Sequence, residues 1–142
     1  MKCIFLDSDV ILDFLRESSP QSDFTTTILT LAEQKQIKVF VSPLLYGDLY
    51  NLFVQKEGHK KMIEKLRKLN SLARSLRINN KIIKQALNSD LNHFGVSLQY
   101  FTARGYKKIE AIVTNRTEAY GHTKIAVFTP ETYLVTIWNS AT

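Results

Sequence analysis

The sequence has little cysteine, no long hydrophobic run and no repeated or low-complexity segment. Its single cysteine, Cys3, excludes an intrachain disulfide and a metal–thiolate cluster, which fits a cytoplasmic protein. The first apolar run stops at Asp7, too early for a secretory leader, and no later run has membrane-spanning length. The pattern also contains no P-loop, zinc knuckle or nucleophile elbow. We therefore expect no membrane segment and none of these common catalytic motifs.

The length and composition of the sequence are typical of one soluble domain. Its 142 residues are 44% hydrophobic and 23% charged, so we expect a single domain over residues 1–142. The net charge of +6 favours a polyanionic partner such as nucleic acid. Solubility alone would also account for a surplus of this size.

Short apolar runs that end at polar residues predict the strands of a parallel sheet. Residues 3–6 end at Asp7, residues 37–41 end at Ser42, and helix-spaced apolar residues follow both runs. This repeated order is typical of βαβ units. Ligands bind at the carboxyl ends of such strands, so we expect Asp7 to point into the functional crevice.

The rest of the chain continues this alternation. The patterns predict strands over 76–78, 111–114 and 125–128, and helices over 21–36, 43–56, 59–77, 81–87, 94–104 and from Pro130 onward. We therefore expect an α/β fold without linkers.

An aromatic stripe lies on the predicted helix over 43–56. Tyr46, Tyr50 and Phe53 recur at the spacing of successive turns. Such a stripe is more typical of a core or a subunit interface than of a base-stacking platform. A homodimer through this face is one interpretation.

A basic face runs along the predicted helix over 59–77. Lys60, Arg67, Lys68 and Arg74 lie opposite its apolar side. These residues are a candidate track for single-stranded RNA, and a solvated helix face is the plainer interpretation.

Asp7 has two interpretations from the residues alone. A carboxylate at this position suits a divalent cation, because Mg²⁺ takes oxygen ligands. It also suits a helix N-cap, because Asp accepts hydrogen bonds from free backbone N–H groups. The nearby Asp9 offsets a helix dipole, and Asp13 is spaced to pair with Arg16.

Several blocks of the sequence resemble PIN-domain proteins. Residues 5–13, Phe-Leu-Asp-Ser-Asp-Val-Ile-Leu-Asp, resemble the opening of that family, usually Asp-Thr-Asn-Val-Ile-Leu-Asp. Residues 94–100 resemble its Phe-Glu-Asp-Ala-Leu-Gln-Tyr helix, and residues 112–120 its Ile-Val-Thr-Arg-Asn-Thr-Lys-Asp-Phe strand and loop. Residues 127–131 match its final strand and helix. The resemblance spans nearly the whole chain.

The resemblance implies a three-layer α/β/α sandwich with a central parallel sheet. It also implies, for many members, a ribonuclease that uses Mg²⁺ or Mn²⁺ to cleave single-stranded RNA. Some members are bacterial toxins restrained by an antitoxin protein. In that chemistry, clustered acids hold metal ions that activate water and neutralise charge on the phosphate.

The acidic positions of the family are only partly retained. The resemblance assigns the first acid to Asp7 and the second to Asp48, where many active members have Glu. The third falls on Val96 and the fourth on Ala119, and neither side chain coordinates a cation. The implied catalytic and metal-binding pair is therefore Asp7 and Asp48.

Two nearby acids, Asp90 and Glu118, are candidate replacements for the missing ones. Arg116, in the loop after a strand, suits either a phosphate contact or a structural salt bridge. One hypothesis is a degenerate site that binds RNA or protein with weakened or lost catalysis, without a required metal. A second is an active endoribonuclease, such as a toxin, and a third is a purely structural or oligomeric module.

Overall fold

A computed structural model describes residues 2–16, 20–121 and 123–141. The strands are Lys2–Leu6 (β1), Ile37–Val41 (β2), Ala73–Ser75 (β3), Ile109–Val113 (β4) and Ala126–Phe128 (β5). The helices are Ser8–Arg16 (α1), Gln21–Glu33 (α2), Leu44–Glu57 (α3), His59–Leu72 (α4), Asn80–Leu87 (α5), Phe94–Arg104 (α6) and Pro130–Ala141 (α7). A short 3₁₀ helix, Thr117–Tyr120, lies between β4 and β5.

The strands form one parallel sheet in the order β3-β2-β1-β4-β5. β1 lies at the centre, where Phe5 is level with Phe40 of β2 and Ile112 of β4. Because helices cover both faces of such a sheet, its central strands are mostly apolar. Residues 3–6 of β1 are accordingly all buried.

A separate hydrophobic core lies on each face of the sheet. Helices α1, α2, α3, α4 and α7 contribute to one core. Helix α6 and Tyr120 contribute to the other, and α5 packs against α6. The predicted three-layer α/β/α sandwich with a parallel sheet is confirmed.

The third strand differs from the prediction. It is Ala73–Ser75 rather than residues 76–78, and the preceding helix ends at Leu72 rather than at residue 77. Ala73 has extended backbone angles and pairs with Val39, which buries its side chain at the sheet edge. An alanine fits the apolar face of a helix equally well. The apolar spacing of the sequence therefore predicted a helix that continues past its true end at Leu72.

The aromatic stripe on α3 makes contacts within the chain. Tyr46 and Phe53 pack against the core, and the Tyr50 hydroxyl lies 2.8 Å from Nδ1 of His59. The core interpretation therefore describes Tyr46 and Phe53 but not Tyr50, and the homodimer stays a prediction. Among the described helices, none has both the length and the apolar character that crossing a bilayer requires.

Candidate functional site

Asp7 lies at the carboxyl end of the central strand. Its backbone N–H donates to the carbonyl oxygen of Val113 at 2.9 Å, which continues the pairing of β1 with β4. Its side chain is 0% exposed. The fold therefore places a carboxylate in the crevice that the sequence predicts, but buries it completely.

Four side chains donate hydrogen bonds of 3.1 Å or less to the Asp7 carboxylate, and the Ser8 hydroxyl and the Asp9 N–H donate to Oδ1 at 3.4 Å. Nε2 of Gln99 donates to Oδ1 at 2.7 Å, while the hydroxyls of Thr114 and Tyr120 donate to Oδ2 at 2.8 and 2.9 Å. Nη2 of Arg116 lies 3.0 Å from Oδ1 and 3.1 Å from Oδ2. A carboxylate offers about four acceptor positions, so Asp7 is fully engaged by the protein itself.

These donors come from three separate elements around β1. Gln99 lies on α6 and also accepts a hydrogen bond from the Ser8 N–H at 2.9 Å. Thr114 directly follows β4, and its hydroxyl accepts from the Arg116 N–H at 3.0 Å. Tyr120 ends the 3₁₀ helix and is fully buried. Asp7 therefore ties the central strand to α6, β4 and the loop beyond it.

Arg116 is held between two carboxylates. Besides its contact with Asp7, its Nε lies 3.5 Å from Oδ2 of Asp9. Partial burial alone would lower the pKa of Arg116, but Asp7 and Asp9 raise it above the ordinary value. The guanidinium is therefore a permanent internal cation at this edge of the sheet.

Asp9 shares the electrostatics of this cluster. Burial, and then the neighbouring charge of Asp7, raise its pKa to about 7, although Arg116 and the Asn115 N–H act in the opposite direction. That N–H donates to Asp9 at 3.2 Å, and the Asn115 side chain donates to Asp13 at 2.6 Å. The two acids on α1 therefore bind the loop after β4, rather than serving only the helix.

Asp48 faces the same cleft as Arg116. It is exposed on α3, and the cleft of about 450 Å³ is also lined by Ser8 and Asp9. The fold therefore brings Asp48 near the predicted edge of the sheet. No hydrogen bond or ion pair of the described residues joins it to Asp7.

The remaining family positions carry no charge in this site. Val96 is fully buried in the core that α6 contributes to, and Ala119 packs against the same core. Asp90 and Glu118 are exposed, and no ion pair in the described part of the chain links either of them to Asp7. Within residues 2–16, 20–121 and 123–141, no three His, Cys, Asp or Glu side chains are grouped to hold one metal ion.

The predicted RNA track on α4 is exposed but partly neutralised. Nζ of Lys68 lies 3.5 Å from Glu33, and the adjacent Lys61 and Lys65 both pair with Glu57. Lys60 and Arg67 are exposed on α4 without a described ion pair. Arg74 is also exposed, but it lies on β3 rather than on the predicted helix face. The sequence allowed Arg116 either a phosphate contact or a structural salt bridge. In the structure it forms a salt bridge, with Asp7.

Sequence reasoning missed the partners of Asp7. Gln99, Thr114 and Tyr120 lie within the blocks that resemble the family, but their donor roles were not assigned. Thr114 had a usable signal, because it is the polar residue directly after a buried strand, as Asp7 is. Gln99 and Tyr120 had none, since only the packing of α6 and the 3₁₀ helix aims them at Asp7.

The comparisons with known proteins agree with this architecture. A family model described as PIN domain matches residues 3–117. The crystal structure of VapC20 from Mycobacterium tuberculosis, a toxin that cleaves the sarcin-ricin loop, superposes with a TM-score of 0.61 at 16% identity. The match covers 86% of this chain and 98% of that one. A comparison with curated protein sequences finds no match. With a family model that covers most of its length, the chain belongs to the PIN-domain family.

Proposed function

We propose that this PIN-domain protein binds single-stranded RNA and has lost metal-dependent cleavage. The observation that carries the proposal is the Arg116 guanidinium, which contacts both oxygens of Asp7 where the family places its first metal ligand. A divalent cation needs oxygen ligands with free lone pairs. The four donors around Asp7 leave it none.

The energetics of the pair support the same conclusion. Removing one partner of a buried ion pair costs about 3–5 kcal/mol, because the other charge is left uncompensated. Arg116 is one-third exposed, so the cost here lies toward the lower end of that range. A metal ion would have to displace Arg116 and would gain no ligand from Val96 or Ala119. The residues present therefore do not fit a divalent ion.

The RNA part of the proposal rests on charge. The chain carries a net charge of +6, and neutralising Asp7 internally weakens the repulsion that an acidic site exerts on phosphate. VapC20, which has the same fold, acts on an RNA loop. A basic PIN domain in which Arg116 occupies the acidic site is best suited to bind RNA without cleaving it.

The test combines cleavage and binding on one labelled single-stranded RNA. We expect binding in EDTA, with cleavage in Mn²⁺ or Mg²⁺ no faster than for the Asp7→Asn variant. Robust cleavage that Asp7→Asn abolishes would overturn the loss of catalysis. Since Asp7→Asn can unfold the protein, the exposed Asp48→Asn variant is a second comparison. Cleavage that depends on Asp48 would overturn the proposal equally.

An active nuclease is the second candidate, because two further carboxylates line the cleft beside Arg116. Asp9 and Asp48 both face that space of about 450 Å³. If they held Mg²⁺ or Mn²⁺, the protein would act as a toxin-like ribonuclease with an antitoxin-like partner. Calorimetric titration with Mn²⁺ separates the two candidates. A stoichiometric site lost in Asp48→Asn favours the nuclease, and no measurable heat favours RNA binding alone.

A further inference from the structure

Positive charge is concentrated in one part of the sequence. Residues 65–109 contain ten lysines and arginines and one acid, Asp90. The rest of the chain contains nine lysines and arginines and twelve acids. The stretch that contains α5 and α6 is therefore strongly basic, while the remainder, which includes Asp7, has a small negative net charge.

The fold gathers part of this charge around one cleft. The cleft of about 450 Å³ is formed by the segment after β3, the start of α5, the end of α6 and the turn into β4. Its lining includes Arg77, Lys81, Arg104 and Lys107, and no lining residue is acidic. This cleft shares no lining residue with the cleft beside Asp7, so the two are separate places on the protein.

We infer that single-stranded RNA binds in this cleft between α5 and α6, an inference that rests on the proposed RNA-binding function. All four cations are exposed, and none has an ion pair within the described residues. On α4, by contrast, three lysines are matched by Glu33 and Glu57. Unpaired cations held close together gain most from a polyanion, because each phosphate contact releases a condensed counterion.

The cleft also offers aromatic surface. Half-buried Phe101 and Tyr106 line it beside the cations. The ring of Tyr106 packs against Phe40, with centroids 5.0 Å apart, so it is held in place by the core. Bases stack on such rings when they are unpaired, whereas bases in a duplex are already stacked. Cations for the backbone and rings for the bases together favour single-stranded RNA.

The cleft beside Asp7 is the weaker candidate for this ligand. Asp9 and Asp48 line it, and its one cation, Arg116, already pairs with carboxylates. A phosphate placed there would approach more negative than available positive charge. The two clefts therefore differ in the sign of charge that they offer.

Charge reversal on matched helices tests the inference. The double variant Lys81→Glu with Arg104→Glu reverses two charges in the cleft. The double variant Lys60→Glu with Arg67→Glu reverses two charges on α4 and is its matched control. Affinity for a labelled single-stranded RNA is measured by fluorescence anisotropy in EDTA, over a series of salt concentrations. We expect the cleft pair to weaken binding about tenfold or more, and to lower the salt slope by about 1.4. The α4 pair should change affinity by less than about threefold.

Each outcome has a distinct meaning. Loss of binding in the α4 pair, with binding retained in the cleft pair, would overturn this inference and leave RNA binding standing. No binding by the wild-type chain would overturn the proposed function itself. If the cleft glutamates prevent folding, as judged by circular dichroism, Arg77→Ala with Lys107→Ala replaces them, with the same expected direction. Equal competition by a duplex of the same sequence would contradict the role of the aromatic rings.

Discussion

Positively charged side chains have two different roles in this fold, one at Arg116 and the other in the cleft between α5 and α6. Arg116 lies between Asp7 and Asp9 at the carboxyl edge of the sheet, and its guanidinium forms ion pairs with both. Arg77, Lys81, Arg104 and Lys107 line a separate cleft that contains no carboxylate. The first charge holds the protein together, whereas the others are available to a ligand. The comparison predicts that substitutions at the two sites affect different properties.

The largest effect is expected from Asp7→Asn. This change removes the charge partner of Arg116 inside a cluster that also binds Gln99, Thr114 and Tyr120. We expect a loss of about 3 kcal/mol in the free energy of unfolding, measured by urea denaturation. The exposed Asp48→Asn is the control and should change stability by less than about 0.5 kcal/mol. An unoccupied acidic metal site would behave oppositely, since losing one of several repelling carboxylates stabilises it.

The second-largest effect is expected from Arg116→Ala, which removes the cation between Asp7 and Asp9. Asp7 and Asp9 would then face each other without compensation, so we expect a loss of about 2–3 kcal/mol in metal-free buffer. A divalent cation should recover part of this loss, because it would restore positive charge between the two carboxylates. Thermal melting with and without Mn²⁺ measures both quantities. A wild-type protein stabilised by Mn²⁺ as much as the variant would show that Arg116 does not block the site.

A smaller effect is expected from Tyr120→Phe. The buried Tyr120 hydroxyl donates to Asp7 at 2.9 Å, and burial followed by the Asp7 charge raises its pKa. Losing this charge-assisted hydrogen bond should cost about 1.5–3 kcal/mol. Tyr133→Phe is the matched control, because the buried Tyr133 hydroxyl has no hydrogen-bond partner among the described residues. Equal losses in the two variants would contradict the role assigned to the Asp7 cluster.

The architecture could be predicted because it depends on local patterns. β1 and β2 are short, mostly apolar runs that end at polar residues, and the central position of Asp7 follows from that arrangement. The third strand could not be located, because Ala73 fits both a helix face and a buried strand edge. Its extended backbone is set by pairing with Val39, which is a tertiary contact.

The chemistry around Asp7 could be predicted only in part. Its exposure to a crevice was expected, but its partners lie far away in sequence: Gln99 by 92 residues and Arg116 by 109. No local pattern indicates that an arginine three residues after a strand will turn back onto the central carboxylate. Val96 and Ala119 indicated that acids were missing, and only the fold showed which cation compensates Asp7.

The smallest effects are expected from single neutralisations of surface lysines. Lys65→Gln removes an ion pair with Glu57, while Lys81→Gln removes a cation that no described acid compensates. We expect Lys65→Gln to lower the free energy of unfolding slightly, because Glu57 keeps its ion pair with Lys61. Lys81→Gln should leave the free energy of unfolding unchanged or raise it by a similar amount, since it relieves repulsion with Arg77, Arg104 and Lys107. Urea denaturation at low salt measures the opposite signs, and raising the salt concentration should bring both variants toward wild type. A clear loss of stability in Lys81→Gln would mean that the cleft cations support the fold, as Arg116 does.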